Sequence, residues 1–187
     1  MSKPQPSPWN LPNAITVVRI LLVPLFIWLL VSFPDKTNLE RWFATALYVL
    51  AIATDGLDGS IARRRGLVTN LGKILDPIAD KALIGGALVV LSVLNEVSWW
   101  ATALILVREL GITAYRFVVI RKRVIAASAG GKIKTIMQGI VLGFLLSPLD
   151  LFIPYLREVE FLALWLTVAV TLFTGFQYLW AARRVSN

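Results

Sequence analysis

A chain of 187 residues that is 57% hydrophobic and carries a formal charge of +8 cannot hide its apolar surface in a soluble core, so a bilayer is its implied solvent. The positive charge is that of cytoplasmic loops facing anionic lipid, which argues against nucleic acid as a partner. With no cysteine and no histidine, a disulfide framework is excluded and any metal must be held by oxygen, which favours Mg²⁺ or Mn²⁺.

Residues 1–12, MSKPQPSPWNLP, are rich in proline and polar side chains and read as a cytoplasmic or interfacial segment. The apolar run behind them, 13–33, is too long for a signal-peptide core and reads as a first span. Arg19 sits one or two turns inside it, where it can snorkel to the interface or meet a phosphate. Further apolar segments follow at 41–64, 70–94, 98–120, 132–149 and 159–181. Each is close to the ~20 residues a helix needs to cross the hydrocarbon, although Pro148 and Pro154 blur the end of the fifth. No repeat or low-complexity linker divides the chain. The expected fold is an all-α integral membrane bundle of six transmembrane helices, one domain over 1–187.

The loops orient this bundle. Lys3, Arg63, Arg64, Arg65, Lys73, Arg121, Lys122, Arg123, Lys132, Lys134, Arg183 and Arg184 collect on one side, against Lys36, Arg41 and Arg157 on the other. The positive-inside rule puts both termini and the 65–70 and 122–131 connections in the cytoplasm, as expected for a multi-pass protein of the inner (cytoplasmic) cell membrane. Trp42, Trp99 and Trp100 then fall at the outer interface, and Trp9 and Trp180 at the inner one. Of the eleven acidic residues, Asp35, Glu40, Glu96, Asp150, Glu158 and Glu160 lie in outer loops or at helix ends. Asp55, Asp58, Asp76, Asp80 and Glu109 lie within spans, where an ionisable group costs about 2.5–3.5 kcal/mol on insertion scales and so marks function.

Asp55 and Asp58 are i, i+3 neighbours and Asp76 and Asp80 are i, i+4, so each pair shares a helix face. Their helices are antiparallel and joined by a short basic turn. Counted from the cytoplasmic end at 1.5 Å per residue, the four carboxylates lie at similar depths, roughly 9–15 Å down. Left unpaired they would repel and protonate; bound cations keep them ionised. Gly56, Gly59 and Arg63 form an adjoining stripe, a flat groove with a guanidinium at its mouth suited to phosphate. Such a site would support two-metal phosphoryl transfer near the headgroup layer.

Asp55, Asp58, Gly59, Ala62, Arg63, Gly72, Asp76 and Asp80 spell D-x-x-D-G-x-x-A-R-x8-G-x-x-x-D-x-x-x-D, which resembles the signature of the CDP-alcohol phosphotransferases at every fixed position. The resemblance extends to the opening PNAITVVR, with Asn13, Thr16 and Arg19, and to that family's six spans, and so covers essentially the whole chain. It implies attack of an alcohol on the lipid-bearing phosphorus of a CDP-linked lipid, with CMP leaving. It further implies that Asp55, Asp58 and Asp76 hold two divalent cations, that Asp80 shares in that shell, and that Asp80 takes the proton from the attacking hydroxyl. Asn13, Thr16, Gly56, Gly59, Arg63 and Gly72 would serve the CDP-lipid, and a homodimer is the implied assembly.

The signature does not name the alcohol. The fourth segment carries VRELGITAYR, with Arg108 and Arg116, and the fifth opens with GGKIKTIMQ, with Lys132, Lys134 and Gln138. Cations at this depth point to an anionic acceptor, a phosphate ester. Lys132 and Lys134 lie about 200° apart on a helix and cannot both face inward, whereas Lys134 and Gln138 share a face. Glu109 lies on the face of Arg116 and would orient cations. The R-E-L run followed by G-K-x-K-T-x-x-Q resembles the phosphatidylglycerophosphate synthase branch, which implies CDP-diacylglycerol and glycerol 3-phosphate as substrates.

Other readings compete. The plain one makes the aspartates an ion-pair network with nearby arginines. A carboxylate-lined cation transporter needs an acidic path through the outer halves of the helices, and none is present. A prenyl-transferring enzyme needs two separated Asp clusters, and one is seen. Within the family, inositol phosphate, serine or phosphatidylglycerol is the alternative acceptor.

Overall fold

The structure is a computed structural model that describes residues 7, 10–64, 67, 69–119 and 129–186, with side chains described except at 57–64, 73, 116–119, 129–133 and 184–186. Among the described residues it is all α. The helices are α1 (Leu11–Ser32), α2 (Leu39–Arg64), α3 (Asn70–Val93), α4 (Trp99–Val119), α5 (Ala129–Leu146) and α6 (Leu156–Ser186), with a 3-10 turn at Pro148–Leu151. Each overlaps one of the six apolar segments. The fifth stops earlier than expected because the Ser147 amide turns back to the carbonyls of Gly143 and Phe144, at 3.2 and 3.0 Å, and Pro148 cannot continue the ladder. By length and composition α1 and residues Leu156–Arg183 of α6 can cross a membrane. The chain forms two compact units, Met1–Val90 and Leu91–Asn187.

In the first unit α1 begins at Asn10, whose extended backbone and side-chain oxygen cap the Asn13 amide at 3.0 Å, with Pro12 inside the first turn. The Asn10 amide also donates to the Leu67 carbonyl at 3.2 Å, tying this start to the connection between α2 and α3. Buried residues then recur every three or four positions along α1: Asn13, Thr16, Arg19, Val23, Phe26 and Leu30. The first half of that stripe is polar and the second apolar. Phe26 packs on Tyr48 of α2 with ring centroids 5.7 Å apart. Ile27 closes on α3, where a Cβ at Gly86 would lie 3.0 Å from its Cδ1. Small buried residues, Ala44 and Ala51 on α2 and Ala79 and Ala87 on α3, let the helices approach closely. The opposite face of α1 exposes Val17, Leu21, Leu25 and Trp28, an apolar surface that lipid rather than water would cover. Before α2, the Thr37 amide and hydroxyl both donate to Asp35 at 2.9 Å, and the backbone bond above all holds that carboxyl below its ordinary range.

In the second unit the end of α3 closes on Asn95, which takes a left-handed φ of 60°. The Asn95 amide bonds to the Ser92 carbonyl at 3.1 Å and the Glu96 amide to the Leu91 carbonyl at 2.9 Å, satisfying acceptors that the helix end would orphan. Ser92 and Thr102 share a buried hydroxyl pair at 2.7 Å between α3 and α4. Both α4 and α5 pack on α6, burying Ala101 and Ile105, Leu142 and Leu146, and Leu164 and Val168.

Near the starts of α2 and α6, two charges are buried: Arg41 is 0% exposed and Glu160 3% exposed. The first turn of α2 packs the Arg41 side chain inward. Because Phe26 is fully enclosed, Phe26→Ala is expected to destabilise the protein by about 3–5 kcal/mol, read as a lowered unfolding midpoint in detergent. An unchanged midpoint would contradict the packing of α1 on α2.

Candidate active site

The polar half of the α1 stripe reaches the aspartates of α2 and α3. Arg19, 1% exposed, donates from Nη1 to Asp55 Oδ1, while the Asp55 side chain stays 45% exposed. The snorkelling alternative for Arg19 is thereby overturned: the guanidinium is spent on a carboxylate inside the protein. One turn earlier the Thr16 hydroxyl lies 3.0 Å from Asp76 Oδ1 and 3.1 Å from the Pro12 carbonyl, two acceptors for its single proton. One turn earlier again, Asn13 Nδ2 donates to Thr69 Oγ1 at 2.8 Å. Thr69 in turn caps α3, accepting the Gly72 amide at 3.0 Å. A Cβ on Gly72 would stand 2.7 Å from Asn13 Oδ1, so this motif glycine makes room for the α1 side chain that locks the start of α3. The three side chains of α1 thus fix the entry of α3 and one carboxylate on each of α2 and α3.

Asp80, four residues after Asp76 on α3, is partly buried and lies within electrostatic range of Tyr48. The Tyr48 hydroxyl is buried without a hydrogen-bond partner among the described residues. Gly56 is exposed, and among the described residues nothing lies within 4 Å of where a Cβ would stand. Pro77 follows Asp76 inside α3 and has no amide to give the carbonyl of residue 73. The helical backbone of α2 carries Asp58, Gly59 and Arg63, whose side chains lie outside the described residues.

Donor chemistry fits a hard divalent cation. Asp55, Asp76 and Asp80 offer oxygen alone, and α1 holds one oxygen of each of the first two while Asp55 keeps an open side. Among the described residues no group of three acidic side chains is close enough to hold an ion, and Asp58 stands outside that set.

In the second unit the cations of α4 and α5 meet. Lys134 is buried, and its Nζ pairs with Glu109 Oε1. Arg108 Nη1 donates to the same oxygen at 2.9 Å. Gln138, one turn after Lys134, is buried on the same face and donates to Thr171 of α6 at 3.2 Å. The expected sharing of a face by Lys134 and Gln138 is therefore seen, and Glu109 does orient cations. The side chains of Arg116 and Lys132 lie outside the described residues.

Sequence reasoning missed three residues of α6. Thr174 accepts from Arg108 Nη2 at 3.1 Å, Thr171 accepts from Gln138, and Gly175 is the surface on which Arg108 lies. Thr167, Thr171 and Thr174 recur at i, i+4 and i+7 in an otherwise apolar run, a helical polar stripe that periodicity makes visible.

The model of the family described as CDP-alcohol phosphatidyltransferase matches residues 9–173. A relative from Mycobacterium tuberculosis (strain CDC 1551 / Oshkosh), named probable phosphatidylglycerophosphate synthase, is 41% identical over 175 residues, covering 94% of this chain and 82% of its own length. A CDP-diacylglycerol–glycerol-3-phosphate 3-phosphatidyltransferase from Bacillus subtilis (strain 168) is 37% identical over 196 residues, covering 96% of this chain and 100% of its own length. One of the same name from Rickettsia felis is 37% identical over 177 residues, covering 94% and 96%. Matched across nearly all its length, and carrying the aspartates that α1 organises, the chain belongs to the CDP-alcohol phosphatidyltransferase family.

Proposed function

We propose that this protein transfers the phosphatidyl group of CDP-diacylglycerol to glycerol 3-phosphate, giving phosphatidylglycerophosphate and CMP. The observation that carries the reading is the end-to-end similarity to enzymes named for that reaction, at 37–41% identity. Family membership sets aside the transporter and prenyl-transfer readings. The cation cluster of α4 and α5 supports an acceptor bearing a phosphate, which serine lacks.

The family works with divalent metal ions. Here Asp55, Asp58, Asp76 and Asp80 would hold two, Mg²⁺ or Mn²⁺, whose chemistry is to neutralise charge on the pyrophosphate and the leaving CMP. Arg19 and Thr16 keep Asp55 and Asp76 in fixed orientation before any ligand arrives, which lowers the reorganisation needed on binding. Gly56 and Gly59 leave space for the cytidine diphosphate, Arg63 offers a guanidinium to its phosphates, and Asn13, Thr16 and Gly72 hold the wall of that site. Arg108, Arg116, Lys134 and Gln138 receive the phosphate of the acceptor; Lys132, the other candidate, lies about 200° from Lys134 on the helix and cannot join it there. Asp80 takes the proton from the attacking hydroxyl; that oxygen bonds to the lipid-bearing phosphorus, and the bond to CMP breaks. The six helices are read as spans of one domain in the cytoplasmic membrane, with both termini and the active site facing the cytoplasm, assembled as a homodimer.

In detergent with Mg²⁺ or Mn²⁺, CMP release is expected only when CDP-diacylglycerol and glycerol 3-phosphate are both present, and chelation with EDTA should stop it reversibly. Ion flux in vesicles without CMP from any acceptor would sink the enzyme reading. Asp80→Asn is expected to keep metal-dependent CDP-lipid binding while kcat falls by roughly 10²–10⁴, the usual contribution of a general base. Unchanged turnover would remove Asp80 from that role. Lys134→Ala and Arg116→Ala should raise KM for glycerol 3-phosphate far more than KM for the CDP-lipid; equal effects would undo the acceptor assignment.

A further inference from the structure

The acceptor cluster on α4 and α5 stands on a third helix that neither the signature nor the cation pattern includes. The Thr174 hydroxyl is buried and lies 2.8 Å from the Val170 carbonyl, one turn back along α6. With its proton turned into that helix, the oxygen presents a lone pair outward, and Arg108 Nη2 donates to it at 3.1 Å. The neighbouring residue is Gly175. A Cβ there would stand 2.9 Å from Arg108 Nε and 3.0 Å from its Cγ, so any side chain larger than hydrogen would push the arginine off α6. Four residues from Gly175, Thr171 is fully buried and accepts from Gln138 Nε2. Glu109 holds the other end of the Arg108 guanidinium, through Nη1.

We infer that Thr174 and Gly175 of α6 are positioning residues for acceptor recognition: they fix the Arg108 guanidinium so that glycerol 3-phosphate meets a preset cation, and Thr171 does the same for Gln138. The inference rests on the acceptor reading above. Arg108 is clamped at two of its three nitrogens, by Glu109 of its own helix and by Thr174 of α6. A long flexible cation held in this way loses little rotamer freedom when an anion binds, so affinity depends on the clamp as well as on the charge. Removing the clamp leaves the charge in place and loosens its aim. Acceptor affinity should therefore fall, while the CDP-lipid, served by residues of the first unit, is untouched.

The test uses the full-length protein in mixed micelles, with CMP release measured against glycerol 3-phosphate at saturating CDP-diacylglycerol, and the converse titration beside it. Thr174→Val is expected to raise KM for glycerol 3-phosphate on the order of tenfold, the usual scale for a lost hydrogen bond to a charged group, with KM for CDP-diacylglycerol held. Thr174→Ser should recover most of that loss, because it restores the oxygen. Gly175→Ala should act in the same direction, and its effect should vanish in an Arg108→Ala background, since it works through that side chain. Should Gly175→Ala fail to fold, the Val and Ser pair at 174 decides alone. Both KM values rising together, a change in melting midpoint with no change in acceptor KM, or full additivity with Arg108→Ala would overturn the inference. A wild-type protein that makes no CMP with glycerol 3-phosphate overturns the acceptor reading and this inference with it; flat KM values in variants of an active wild type overturn the inference alone.

Discussion

A carboxylate in apolar surroundings has to be matched with a partner of opposite charge or with strong donors, or it protonates and loses its use. In this protein the match for Asp55 is Arg19, buried to 1% exposure, and for Asp76 it is the Thr16 hydroxyl. Both partners come from α1, so the first helix is the template on which the acidic faces of α2 and α3 are set. A buried arginine would itself be costly; placed against Asp55 it removes two problems at once. Because Asp55 keeps nearly half of its surface, the pairing orients the carboxylate without closing it to a ligand.

Close approach of backbones makes this possible. Gly72 admits the Asn13 carboxamide, Gly86 admits Ile27, and alanines line the buried faces of α2 and α3. The second unit repeats the principle with opposite sign. Arg108 and Lys134 converge on Glu109, and Gly175 lets Arg108 lie flat on α6 beside the Thr174 oxygen. In each unit a buried charge of one sign is held by its complement on a neighbouring position or helix, and in the second a glycine supplies the space. Polar side chains that look expendable in a hydropathy profile, such as Thr16 and Thr174, act as the fine adjustment of these pairs.

Much of this was legible in the residues. The signature from Asp55 to Asp80 identified the family. Lys134 and Gln138 were correctly assigned to one face because i, i+4 geometry is local. The burial of Arg41 was not legible, because a charge at the first turn of an apolar segment has the same sequence signature whether it faces headgroups or folds inward. Arg19 stayed undecided between interface and site because its partner lies 36 positions further along. The α6 threonines were passed over because a hydroxyl in an apolar helix can satisfy itself on the carbonyl one turn back. Only the neighbouring helix shows that Thr174 has a second bond to make.

By itself, then, the amino-acid sequence determined the helices seen among the described residues and the family, since hydrophobic period and motif spacing are properties of neighbouring residues. Tertiary structure alone decided that α1 grips Asp55 and Asp76, that Gly72 is a seat for Asn13, and that α6 holds Arg108. Those outcomes join groups 36 to 66 positions apart, and separation along the chain carries no information about which side chains meet.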